Sequence, residues 1–103
     1  MAIINRMAEL HDEITAWRRA YHANPELMYD VYDTAGDVAE KLKAFGCDEV
    51  VTGIGKTGVV GVIRGNKPGN RAIGLRADMD ALPITEETGL PYASRNNGKM
   101  HAC

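Results

Sequence analysis

Apolar residues recur at helical spacing along residues 3–22, with charged residues between them, and this pattern predicts an amphipathic helix. The apolar positions are Ile3, Ile4, Met7, Leu10, Ile14, Trp17 and Tyr21. The helix is expected to end at Asn24, because the residue before a proline avoids helical backbone geometry. A second helix is expected from Thr34, which can cap the first turn, to Gly46, a residue type that commonly terminates helices.

Apolar and β-branched segments, separated by glycine-rich turns, follow the second helix and predict strands. Residues 48–52 and 59–64 flank the turn at 53–58 and are expected to pair as a hairpin. A third strand is expected at residues 71–77. Together these elements predict an α/β fold in which two N-terminal helices pack on a mixed sheet.

The composition is that of an ordinary globular protein, with 45% hydrophobic and 25% charged residues in a chain of 103. That length suits one small domain. A formal charge of −2 argues against nucleic acid or an anionic membrane as a partner. The N-terminal residues show no secretory-signal pattern, so a cytoplasmic location is expected. The two cysteines, Cys47 and Cys103, do not make a disulfide framework.

Two short motifs have simpler explanations than catalysis. The sequence GIGKTG at residues 53–58 matches the glycine pattern of dinucleotide sites, but such a site needs a helix after it, and a strand is expected there. We therefore interpret it as a hairpin turn. Glu86 and Glu87 are adjacent in a polar loop that is expected to be exposed, and we interpret them as a solvated surface pair rather than an acid–base pair.

Asp78 and Asp80 lie two residues apart at the end of the expected third strand. In extended backbone, residues i and i+2 point to the same side, so the two carboxylates are expected side by side. Such like charges repel unless a cation compensates them. A divalent metal ion and the Arg76 side chain are both candidates for that cation, and a solvated turn without a ligand is the alternative.

Three further residues carry donors suited to metal binding or catalysis. His22 precedes the segment ANPEL (23–27), where a turn is expected, and its role stays open. His101 and Cys103 form an H-x-C pair at the end of the chain. That pair alone cannot complete a structural zinc site, which takes four ligands, but a cysteine thiolate can be one ligand of a larger set.

Four segments, in this order, resemble the start of the metal-dependent amidohydrolases of the M20 peptidase family. They are WRRAYHANPEL (17–27), GVVGVIRG (58–65), IGLRADMDALPITEETGLPYAS (73–94) and GKMHAC (98–103). The branch that they resemble contains hippurate hydrolases, N-acyl-amino-acid amidohydrolases and auxin-conjugate hydrolases. The resemblance implies that residues 1–103 are the N-terminal part of a dinuclear-metal catalytic domain, without the smaller lid domain used for dimerisation.

The resemblance also implies roles for individual residues. Cys103 is expected to be a metal ligand, with a companion histidine just beyond the last residue. Asp80 corresponds to the aspartate that orients the metal ligands without binding the metal itself. Asp78 and His101 are candidates for supporting residues. The 22–31 turn departs from the family pattern, so no role is carried over to it.

The implied reaction is hydrolysis of the amide bond of an N-acyl amino acid, such as hippurate, by metal-activated water. Two divalent ions are expected in a complete site, with manganese, zinc, cobalt or nickel as the candidates. The complete protein is expected to be compatible with a homodimer, and the 103-residue chain alone is expected to be inactive. The alternatives are a small α/β binding or interaction module and a remnant without catalytic activity.

Overall fold

The structure, a computed structural model, describes residues 4–103. These described residues form three helices and two strands: α1 Asn5–Glu9, α2 His11–Ala23, α3 Tyr32–Ala44, β1 Glu49–Ile54 and β2 Gly58–Val62. The chain divides into two compact units. As far as the structure describes it, the first unit contains residues 4–27 and 81–103, and the second contains residues 28–80. None of the helices within residues 4–103 has the length and apolar character that crossing a bilayer requires.

The first predicted helix is present as two helices, α1 and α2, which meet at Leu10. The backbone of Leu10 stays helical, with φ −86° and ψ −3°. The amide of Ile14 donates to the carbonyl oxygen of Leu10 at 2.9 Å, so α2 starts without a side-chain cap. Ile3, the first position of the predicted apolar stripe, lies outside the described residues.

The second predicted helix is α3, but it begins at Tyr32 and its cap differs from the prediction. Val31 occupies the N-cap position and makes no side-chain capping bond. Thr34 is buried inside the first turn, so the prediction that it caps the helix was wrong. The amide of Ala35 instead bonds the carbonyl oxygen of Val31 at 2.8 Å.

In the second unit, α3 packs against an antiparallel hairpin formed by β1 and β2. The small buried residues Ala35 and Ala39 of α3 allow this close approach. A Cβ added at Gly61 of β2 would lie 3.2 Å from both Leu42 Cδ1 and Cys47 Sγ. The hairpin backbone therefore approaches the end of α3 at a point where only glycine fits without adjustment.

The predicted hairpin and its glycine-rich turn are confirmed, with a register that includes an irregularity between Val51 and Ile54. Ile54 pairs with Gly58, and the turn between them places Gly55 and Lys56 at positive φ, 57° and 87°. Glycine adopts this left-handed backbone without steric cost, whereas lysine does not. The segment is a tight reversal of the chain, as expected from its composition.

The predicted third strand, residues 71–77, is not formed, and the described sheet is an antiparallel pair instead of a mixed sheet. The predicted layer of helices on a sheet is present within the second unit as α3 on the hairpin, and the first predicted helix belongs to the first unit. Ile73 and Leu75 are 92% and 96% exposed. An alternating apolar pattern shows that a segment can pair and be covered, but a strand forms only where a neighbouring backbone supplies hydrogen bonds. The broader prediction of helices with a small sheet, as part of an α/β domain, is confirmed.

The first unit joins α2 to the irregular segment 81–103 by backbone hydrogen bonds. The Ala81 amide donates to the Glu26 carbonyl oxygen at 2.7 Å, and the Arg95 amide donates to the Ala23 carbonyl oxygen at 2.8 Å. Pro25, which ends the helical region, is fully buried. In sequence it lies between Ala23 and Glu26, whose carbonyl groups make these two contacts. These bonds place the residues after 81 beside the C-terminal end of α2.

Candidate metal-ligand site

A cavity of about 230 Å³ in the first unit brings together residues from the two ends of the chain. Arg18, Tyr21 and His22 line it from α2, where spacings of three and four residues place side chains on one helix face. His101 and Cys103 line it from the terminal segment. The structure thus brings the two donors of the H-x-C pair into one cavity and adds His22, whose role the sequence leaves open.

The terminal segment is held in place by a two-residue antiparallel bridge. The Leu82 amide donates to the Met100 carbonyl oxygen at 2.9 Å, and the Met100 amide donates back to the Leu82 carbonyl oxygen at 3.0 Å. His101 and Cys103 follow directly, and the Cys103 side chain is exposed. The bridge therefore fixes the position of the backbone from which His101 and Cys103 extend.

The side chain of Glu86 is buried in this unit, and the prediction that it is a solvated surface residue was wrong. Its side chain is 3% exposed, whereas Glu87 is exposed as predicted. His22 Nε2 donates to Glu86 Oε1 at 2.7 Å, and the Ser94 amide donates to the same oxygen at 2.9 Å. The Thr88 hydroxyl donates to Glu86 Oε2. The partner that buries Glu86 lies 64 residues earlier in the chain, so the polarity of the loop gives no signal of it.

These hydrogen bonds lower the pKa of Glu86 below its ordinary value of 4.5. The Thr88 hydroxyl has the largest effect, the Ser94 amide follows, and burial acts in the opposite direction. The hydrogen bond and charge of His22 lower the pKa further. All of these partners donate to the ionised form, which explains the direction.

The ring of His22 is held on a second side by Tyr92. The two ring centroids lie 5.8 Å apart, and the rings meet edge to face at 76°. Tyr92 in turn lies under the guanidinium groups of Arg18 and Arg19. Their Cζ atoms are 5.6 and 4.6 Å from the centroid of the Tyr92 ring. Stacked cations and aromatic edges of this kind restrict side-chain rotation. The histidine side chain, 12% exposed, is therefore fixed next to the cavity.

The lowered pKa of Glu86 predicts a stability loss in acid. A carboxyl whose folded pKa is depressed stabilises the protein above its unfolded pKa, and that contribution is lost as the pH falls toward the folded value. We expect the difference in urea midpoint between wild type and Glu86→Gln to shrink as the pH falls below 4.5. Glu87→Gln, which changes the adjacent exposed carboxyl, is the matched control. A difference for Glu86→Gln that is the same at neutral pH and in acid would contradict the prediction.

The two predicted aspartates lie in the second unit, on a groove lined by Met28, Tyr29, Arg76, Asp78 and Asp80. Arg76 contacts Asp78 Oδ1 twice, through Nε at 3.0 Å and Nη2 at 2.9 Å. Both side chains of this pair are largely exposed. Of the two cations left open by the sequence, the structure therefore shows Arg76 beside Asp78. Asp80 lines the same groove and is exposed.

The cavity in the first unit contains side chains of the types that bind divalent metals, but too few of them to complete a site. The thiolate of Cys103 and the imidazole of His101 are the sulfur and nitrogen ligands that zinc and its neighbours prefer. Within residues 4–103, no group of three or more histidine, cysteine, aspartate or glutamate side chains is placed to hold a metal ion. A catalytic site takes three protein ligands and an open position, so further donors are required.

Sequence comparison confirms the predicted resemblance. The family described as peptidase family M20/M25/M40 matches residues 74–103, a segment that contains all four predicted site residues. The chain is 52% identical to a hippurate hydrolase of Campylobacter jejuni, across 100% of this chain and 26% of that protein. It is 46% identical to an N-acyl-L-amino acid amidohydrolase of Geobacillus stearothermophilus, across 92% of this chain and 25% of that protein. The chain thus spans about a quarter of the length of these relatives.

Solved structures agree with the sequence comparison. A dinuclear metal-binding peptidase of the M20 family from Bacillus subtilis superposes with a TM-score of 0.84 at 38% identity. That match covers 93% of this chain and 27% of the other. A proposed aminohydrolase from methicillin-resistant Staphylococcus aureus superposes with a TM-score of 0.87 at 43% identity, covering 96% and 26%. The fold of this chain is therefore that of one part of these enzymes.

Proposed function

We propose that this chain, whose sequence and fold are similar to those of the M20 peptidase family, supplies the N-terminal part of the catalytic domain of a metal-dependent amidohydrolase. The observation that carries the proposal is the cavity lined by His101 and Cys103, two residues of the segment that the family matches. The substrate class is a linear amide of an N-acyl amino acid, in keeping with the names of two relatives. A cytoplasmic location and homodimerisation of the complete protein stay predictions.

We assign the roles of this chain's residues by their chemistry. Cys103, as a thiolate, binds one divalent ion, and His101 supports it from the same cavity. Asp80 corresponds, by the family resemblance, to the aspartate that orients a metal ligand, and this role stays a prediction. Asp78 is given no ligand role, because Arg76 already occupies one of its oxygens with two nitrogen atoms. When bound, two divalent ions supply Lewis acidity for amide hydrolysis, and a sulfur ligand favours zinc, cobalt or nickel over manganese.

The ligand role of Cys103 is tested by alkylation of the two cysteines with iodoacetamide, mapped by mass spectrometry. Metal binding withdraws the thiolate that reacts, so Zn²⁺ is expected to slow alkylation of Cys103 several-fold. Cys47, which lies in the second unit beside Gly61, is the internal control and is expected to react at the same rate with and without Zn²⁺. His101→Ala should weaken the protection of Cys103.

Equal alkylation of Cys103 with and without Zn²⁺ would contradict its assignment as a ligand. Such a result would favour the alternative of a binding module that shares the family's fold without its metal site. Equal protection of Cys103 and Cys47 would show unspecific binding of Zn²⁺ to thiols and would contradict the assignment as well.

A further inference from the structure

We propose that Glu86 and His22 are a positioning pair, which fixes one wall of the His101–Cys103 cavity and on which metal binding at Cys103 depends. The metal-binding half of this inference rests on the proposed function, and the structural half does not. Nothing in the resemblance assigns a role to either residue of the pair.

Glu86 is a hub that accepts hydrogen bonds and donates none. Its two oxygens accept hydrogen bonds from the imidazole of His22, the amide of Ser94 and the hydroxyl of Thr88. An ionised carboxylate is an acceptor only, so these three donors match its chemistry. One side chain thus ties the end of α2 to a loop that extends from residue 86 to residue 94.

The hub fixes the orientation of the His22 ring. Because Glu86 accepts from Nε2, that nitrogen carries the proton, and the ring cannot flip without breaking a charge-assisted bond at 2.7 Å. Tyr92 holds the ring from another side by its edge-to-face contact. With two sides held, the ring presents a fixed surface to the cavity that it lines with His101 and Cys103.

The hydrogen bonds from residues 81, 95 and 96 to backbone carbonyl groups at and after the end of α2 involve none of the side chains that line the cavity. The amides of Ala81 and Arg95 donate to backbone carbonyl oxygens, and the Asn96 side chain donates to the Pro25 carbonyl oxygen at 2.9 Å. These contacts hold the two segments together without ordering the cavity wall. Loss of the Glu86–His22 bond is therefore expected to loosen the wall while the backbone contacts remain.

The test compares Glu86→Ala, His22→Ala and His22→Gln in the 103-residue chain, with Glu87→Ala as the matched control. Zn²⁺ protection of Cys103 from alkylation is the first readout. We expect Glu86→Ala and His22→Ala to reduce it several-fold. His22→Gln is expected to restore most of it, because the glutamine amide can donate where His22 Nε2 does. Glu87→Ala should behave as wild type.

Amide hydrogen exchange is the second readout, and it needs no metal. Removal of the hub should speed exchange at Ser94, whose amide bonds Glu86, and at Met100, whose bridge starts the donor segment. The amides of α3 and the hairpin, in the second unit, should be unchanged. Glu86→Leu, which fills a similar space but cannot accept a hydrogen bond from His22, replaces Glu86→Ala if the alanine variant does not fold.

The outcomes separate this inference from the proposed function. If wild type shows Zn²⁺ protection and Glu86→Ala shows the same, with Ser94 exchange raised, the positioning role is overturned. If Zn²⁺ does not protect Cys103 in wild type, the ligand role of Cys103 fails. The positioning role of Glu86 and His22 is then tested by amide hydrogen exchange at Met100 alone. Faster exchange at Met100 in Glu86→Ala then supports positioning, and unchanged exchange overturns it. An equal loss of Zn²⁺ protection in His22→Gln and His22→Ala would also overturn the positioning role, because a hydrogen-bond donor at position 22 would then make no difference.

Discussion

No hydrolysis of hippurate above the uncatalysed rate is expected when the 103-residue chain is incubated with Zn²⁺ or Mn²⁺. A hydrolytic metal site needs three protein ligands and an open position. Within residues 4–103, no three suitable side chains are placed together. The buried carboxylate Glu86 cannot serve as the general base, because three donors occupy it and its pKa lies below the ordinary range, whereas an effective base titrates near the working pH.

The measurement is release of glycine from hippurate, followed by chromatography over a long incubation. The full-length Campylobacter jejuni hippurate hydrolase, of which this chain matches 26%, is the positive control. Glycine release by the chain that disappears in Cys103→Ala would contradict the prediction, because it would show a working site built from this chain's own donors. Release that persists in Cys103→Ala would instead indicate a contaminating enzyme.

Gly58→Ala is expected to cause the largest stability loss of any single methyl addition in the hairpin. A Cβ at Gly58 would collide with the backbone carbonyl oxygen of Ile54, its partner in the register. Backbone cannot move aside as a flexible side chain does, so the hairpin must open locally. Overpacking of this kind costs about 1–3 kcal/mol. We expect the urea midpoint of the second unit to fall accordingly.

Gly36→Ala in α3 is the matched control, because it makes the same chemical change where a Cβ meets nothing within 4 Å. Alanine in a helix interior is favoured over glycine by roughly 0.5–1 kcal/mol, so this variant should be more stable than wild type. Opposite signs for the two variants, measured by urea unfolding followed by circular dichroism, support the hairpin register. A Gly58→Ala variant as stable as wild type would contradict the close pairing of Gly58 with Ile54 at the turn.

Local pattern was sufficient for the elements whose hydrogen bonds close within a few residues. Helical periodicity located α2 and α3 to within a few residues, and the glycine-rich segment 53–58 located the hairpin turn. The cap of α3 was missed because Thr34 is buried, and burial depends on residues that are distant in sequence. The strand at 71–77 was predicted from alternation alone, which reports the capacity of a segment to pair and not the presence of a partner.

The candidate site divides in the same way. Cys103 and Asp80 could be named from family motifs, and the pairing of Asp78 with Arg76 was one of two alternatives that the spacing left open. Glu86 was placed on the surface, although it is buried, because its decisive partner His22 lies 64 residues away. A histidine on the last turn of a helix and a glutamate in a polar loop carry no local mark of such a contact.

The sequence by itself determined the family, the helices, the hairpin and the thiolate that we assign to the metal, since motif identity and short-range hydrogen bonding are both local properties of the chain. Only the tertiary structure decided which carboxylate is buried, which histidine it orients and which predicted strand lacks a partner. The physical reason is that desolvation and long-range hydrogen bonds depend on neighbours in space, which the order of residues along the chain does not specify locally.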